Sequence, residues 1–108
     1  MSASEKIWSL TVSLEAQIKV RLEVENGEVI DFALTLIYIP GGEEEPENVI
    51  LYDSAHGEID CHRYWKESDI KETKRFQYRT QRGAFKEAYK ELKENWQRYL
   101  ELYKKHKK

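Results

Sequence analysis

From Trp8 to Val24 every even-numbered position is apolar (Trp8, Leu10, Val12, Leu14, Ala16, Ile18, Val20, Leu22, Val24), and every odd-numbered position between them is polar. A strict period of two predicts β-strand with one dry face and one wet face. At ~3.3 Å per residue, such a strand over about 7–24 would span about 56 Å, much more than a chain of this size is wide. The strand must therefore bend or break, and the place predicted is Leu14 to Ala16.

Glu25-Asn26-Gly27 turns the chain into a second strand over about 28–39, ended by Pro40. A two-residue loop at Asn26-Gly27 would set Leu22 opposite Asp31 and spoil the apolar face. A three-residue loop with Gly27 in the left-handed position pairs Leu22 with Ile30, Val20 with Phe32 and Ile18 with Leu34, and is the loop expected. The acidic stretch 41–48 contains no apolar side chain and reads as a loop.

A second hairpin is predicted from strands at about 49–53 and 59–65 around Ala55-His56-Gly57. The same loop type would pair Leu51 with Cys61 and Tyr52 with Asp60. Its core face would carry Val49, Leu51, Ile59, Cys61 and Trp65, and its outer face Tyr52, Asp60, His62 and Tyr64. A fifth strand over about 71–79 would turn Phe76 and Tyr78 inward and Arg75 and Arg79 outward. From about 82 to 105 the period changes to three and four through Phe85, Ala88, Tyr89, Leu92, Trp96, Tyr99, Leu100 and Tyr103, which predicts one long helix covering the sheet. The fold expected is α+β: a five-stranded antiparallel meander-like sheet under one long C-terminal helix, forming a single domain over 1–108.

Composition narrows the setting. No apolar run approaches the length of a membrane span, and the first residues lack the basic and apolar regions of a signal peptide, so a cytoplasmic protein is expected. A single cysteine, Cys61, has no partner for an internal disulfide and no neighbours at zinc-site spacing, and it is expected in the core. No cofactor or metal is expected. The 35% charged fraction, rich in Glu and Lys, is of the kind found in heat-stable proteins.

The charge is also unevenly spread. Residues 1–62 hold three basic residues against 13 acidic ones, whereas residues 63–108 hold 15 basic against seven acidic. That polarity fits a basic surface for nucleic acid, a complementary protein partner, or self-association as a homodimer; it is equally the charge of an ordinary solvated surface.

The stretch from Tyr52 to Trp65 concentrates groups able to move protons: Asp53, His56, Asp60 and His62. Cleaving RNA without a metal requires a base near neutrality, an acid for the leaving oxygen and a cation for the phosphate. Arg63, Arg75, Arg79 and Arg82, interleaved with Phe76 and Tyr78, are the candidate phosphate contacts. His56 at the hairpin tip and His62 on the return strand would lie about 13–20 Å apart in a straight hairpin, so Asp60 with His62 is the tighter pair. The bland alternatives are a surface histidine beside a carboxylate, arginines that pair with the acidic strands, and an aromatic helix stripe that is simply core.

The residues Tyr52-Asp53-Ser54-Ala55-His56-Gly57, followed by His62-Arg63-Tyr64-Trp65, resemble a short signature of small prokaryotic and archaeal proteins related to TumE-type toxins. The helical Glu94-Asn95-Trp96-Gln97-Arg98-Tyr99 is similar to the end of members of that group. The resemblance implies a toxin-like protein that acts on RNA and is held by a cognate antitoxin, with Asp53, His56 and His62 as matched positions. Two functions follow as expectations: a metal-independent endoribonuclease of a toxin-antitoxin system, or a non-catalytic module that binds a protein partner or a second copy of itself.

Overall fold

The structure is a computed structural model that describes residues 3–41, 44–54, 59–65, 72–74 and 81–106. Strands β1 (Ser4–Ser13), β2 (Ala16–Glu25), β3 (Glu28–Tyr38), β4 (Glu47–Asp53), β5 (Ile59–Arg63) and the short β6 (Glu72–Lys74) precede helix α1 (Gln81–His106). They form one antiparallel sheet in sequence order, β1 to β6, so the α+β meander with one long C-terminal helix is what the chain adopts. Among the described residues no helix is long and apolar enough to cross a membrane.

The long first strand does break where its length required it. Ser13 pairs with Ala16 around the Leu14-Glu15 turn, and the fully exposed Leu14 sits at the tip. The break is a complete reversal, so the predicted strand becomes β1 and β2 paired along their length. Val12 is the extra residue of a bulge between Thr11 and Ser13, and this lets the apolar face continue on both sides of the turn.

The β2–β3 loop differs from the three-residue loop expected. Glu25 pairs with Glu28 across a two-residue turn whose central residues, Asn26 at φ 53° and Gly27 at φ 78°, both adopt the left-handed region of a type I′ turn. The parity problem is solved downstream instead. Val24 faces Val29 but Glu23 faces Asp31, so Ile30 bulges out, and Leu22, Val20 and Ile18 then meet Phe32, Leu34 and Leu36. All six of these side chains are buried, whereas Ile30 is 41% exposed. Deleting Ile30 should therefore leave every other β2–β3 pair in place and shift the thermal midpoint by no more than about 5 °C. A deletion variant that fails to fold would show that Ile30 is integral to the register.

The second hairpin is one residue out of the register expected. Tyr52 pairs with Cys61 and Asp53 with Asp60, and a bulge in β4 places both Val49 and Ile50 in the core and reverses the parity of the rest of that strand. Tyr52 is completely buried and Leu51 lies on the outer face, opposite to the assignment from alternation alone.

Helix α1 covers only one side of the sheet. Its buried residues Ala84, Ala88, Leu92, Tyr99, Leu100 and Tyr103 pack over β2, β3, β4 and β5. Phe85 meets Phe32 edge-on at 5.5 Å between ring centroids. Strand β1 projects beyond this cover: Trp8 is 37% exposed, and Leu10 and Val12 are only partly buried.

Candidate functional site

The open face of the sheet, turned away from α1, follows from the pairing. One row across it contains Ile7, Arg21, Ala33, Asp53 and Asp60; the next contains Ser9, Lys19, Thr35, Leu51 and His62. Glu5, Glu23 and Asp31 form a third row, leaving Lys19 and Arg21 among five carboxylates. The acidic N-terminal half of the sequence thus becomes an acidic surface.

Within it, Asp31 is the best-organised carboxylate. It accepts 2.7 Å and 3.1 Å hydrogen bonds from the Ser54 hydroxyl and the Arg21 guanidinium. Burial opposes ionisation of Asp31, but these bonds outweigh it and hold the carboxyl below its ordinary range; the bond to Asp31 in turn raises Arg21. Ser54 also accepts the Phe32 N–H at 2.8 Å and donates its own backbone N–H to the Phe32 carbonyl. It is a clasp that holds the end of β4 against β3 beside the Ile30 bulge, which gives this residue of the hairpin motif a structural role.

The proposed acid–base groups are only partly brought together. Asp60 and His62 share the open face, about 6.6 Å apart along β5, and His62 stacks on Tyr64 at 4.0 Å. Asp53 lies directly across from Asp60. Arg63 pairs with the buried Ile50 and so projects to the helix side, away from His62, which separates the intended phosphate contact from the intended base. His56, Arg75 and Arg79 lie outside the described residues, as does most of the predicted strand over 71–79. Among the described residues no His, Cys, Asp or Glu side chains cluster in a metal-binding geometry.

On the helix side, Glu91 is a polar anchor inside an otherwise apolar interface. Its Oε1 accepts hydrogen bonds from the hydroxyls of Tyr52 at 2.9 Å and Tyr99 at 2.5 Å, and Tyr103 donates similarly to Glu47 at 2.8 Å. Burial first, and then their hydrogen-bonding and charged neighbours, push these phenols up, to about 12 for Tyr99 and Tyr103 and further for Tyr52. An unfolded tyrosine ionises near 10, so above that pH the folded chain holds more protons than the unfolded one. Stability should therefore be complete below pH 10 and fall as pH rises toward 12. Denaturation midpoints measured from pH 8 to 12 alongside tyrosinate absorbance would check this; ionisation of all seven tyrosines near pH 10 in a still-folded chain would refute it.

The uncovered strand β1 and one flank of α1 form a groove. The two elements run alongside each other, with Trp8 6.4 Å edge-on from Phe85 and its indole N–H 3.5 Å from the Tyr89 hydroxyl. Arg82, Lys86, Lys90 and Lys93 follow one another at spacings of four, four and three along α1 and are all exposed. That spacing places them on one stripe, a cation about every 5–6 Å. Lys93 lies over the Tyr89 ring, 4.7 Å from its centroid. A cleft of about 340 Å³ opens at the N-terminal end of the groove between Lys6, Leu22, Phe85 and Arg82, and one of about 280 Å³ at the other end beside Glu15, Trp96 and Lys104. At that far end Lys104 pairs with Glu15 at 2.8 Å, so the cationic character is concentrated toward Lys6 and Arg82.

Of the candidate site residues from the sequence that are among the described residues, Arg82 alone lines this groove. Lys6 and the Lys86–Lys90–Lys93 stripe carried a readable signal in helical spacing and in the even-numbered face of β1. Their meeting did not, because it depends on where α1 crosses the sheet. No curated protein and no solved structure matches the chain. The model of a domain family of unknown function, DUF7718, matches residues 1–108, and the chain belongs to that family.

Proposed function

We propose that this protein is an RNA-binding module that holds a single strand in the groove between β1 and α1. The observation that carries the reading is the interleaving of Arg82, Lys86, Lys90 and Lys93 with the partly exposed rings of Trp8, Phe85 and Tyr89 along one groove. Cations at regular intervals suit a linear polyanion better than the irregular charge of a folded protein, and flat rings offer stacking surfaces for bases of any sequence. The acidic open face repels the same strand and so confines it to the helix side.

The test is fluorescence anisotropy with labelled mixed-sequence single-stranded RNA over a range of salt. Engagement of four phosphates predicts a log–log salt slope of about −3. Absence of binding at 50 mM salt would reject the groove and favour an acidic protein partner instead.

A second reading, the toxin-like metal-independent endoribonuclease, is favoured by the Asp60–His62 pair on the open face and the ring of Tyr64 stacked on His62. The same incubations, resolved by product length with and without chelator, distinguish the two. Intact RNA under binding conditions supports the module; cleavage lost in His62→Ala supports the enzyme.

A further inference from the structure

Resting on the groove reading, we infer that the cleft formed by Lys6, Arg82 and Lys86 receives a terminal phosphomonoester, so that the protein prefers a strand end to a strand interior. Three cations from two elements converge here: Lys6 from β1, and Arg82 and Lys86 from the first turns of α1. Among the described residues none of the three forms an ion pair. The first turn of α1 also contains no acidic residue.

An internal phosphodiester bears a single negative charge, while a terminal monoester bears about −1.5 to −2 at neutral pH and three acceptor oxygens. The convergence of three cations is matched to the second. Charge-assisted bonds to such a group are also the strong ones, and Arg82 has the fork geometry to make two of them.

The surroundings favour an end as well. Beyond the cleft the groove meets the β2–β3 turn, where Gly27 lines the wall. The apolar floor of Leu22, Val24, Val29 and Phe85 gives the terminal nucleoside a dry surface with an aromatic ring to meet.

The experiment compares one short single-stranded RNA sequence with a 5′-hydroxyl, a 5′-phosphate or a 3′-phosphate end as competitors for the full-length protein. One of the phosphorylated ends is expected to bind about tenfold tighter than the hydroxyl-ended strand. That advantage should vanish in the variant Lys6→Gln, Arg82→Gln, Lys86→Gln, whose side chains are exposed and whose folding is checked by circular dichroism.

Equal affinity for all three oligomers overturns the inference and leaves the groove reading intact. Failure of every oligomer to bind, with adenosine monophosphate still shifting the amide resonances around Phe85 in the wild type and not in the variant, removes the groove reading and retains the phosphate site. Failure of both probes removes both.

Discussion

Tyr52→Ala is expected to lower folding stability by about 3–5 kcal/mol, and Tyr52→Phe by about 1.5–3 kcal/mol. The alanine variant empties a completely buried site at the meeting of β3, β4, β5 and α1, where Tyr52 faces Leu34 on one side and Cys61 on the other. The phenylalanine variant keeps the ring and removes one of the two hydroxyl donors to Glu91. Since a domain of this size is stable by only about 5–15 kcal/mol, the first change alone consumes a large share of the total. Urea denaturation of the three proteins measures both values. A Tyr52→Ala cost below 1 kcal/mol would mean that the helix does not seat on this part of the sheet. A Tyr52→Phe cost equal to that of alanine would assign the whole effect to the hydroxyl. Either result would also bear on the alkaline behaviour, because Tyr52 is the most strongly raised of the three phenols.

Reversing three charges in the groove, Lys86→Glu with Lys90→Glu and Lys93→Glu, is expected to weaken RNA binding at least 100-fold at 100 mM salt. It should also flatten the salt slope by about two units, since three phosphate contacts are lost. All three side chains are exposed on α1, so the fold should survive, with Lys93 giving up only its contact over Tyr89. The matching control lies on the opposite side: Lys19→Glu on the open face removes the same kind of charge from a surface already dominated by carboxylates and should change affinity less than threefold. Equal losses from the two variants would show that binding follows net charge and not the groove.

These expectations rest on parts of the chain that were unequally legible. The helix was readable because its apolar residues recur at three and four without interruption from Phe85 to Tyr103, and a periodic signal sustained over that whole stretch leaves little room for another structure. The strand alternation from Trp8 to Val24 was as plain, and simple length arithmetic required a break, which falls within the predicted stretch from Leu14 to Ala16. Local pattern was misleading in both hairpins. Alternation assumes that a strand keeps its parity, yet Ile30 and Val49 each insert one residue and change which side chains face the core. Nothing in the composition of either segment marks a bulge. The bulge beside Ile30 is held by Ser54, 22 residues from Phe32 in sequence, whose hydroxyl and amide satisfy the Phe32 backbone.

The candidate sites divide in the same way. Asp53, Asp60 and His62 were identifiable as residue types, and alternation along β5 is enough to put Asp60 with His62 and to turn Arg63 to the other face. That Asp53 joins the open face was decided by the register of the second hairpin, which pairs it with Asp60. By itself the sequence determined the element types, the meander order, the long covering helix and the opposition of acidic and basic halves, because each depends on residues near one another along the chain. Only the tertiary structure decided that this opposition lies front to back, acidic sheet face against cationic helix flank. It also decided that β1 extends past the helix far enough to bring Lys6 and Trp8 beside Arg82 and Tyr89, since pairing register and the crossing of α1 over the sheet are set by contacts among residues far apart in the chain.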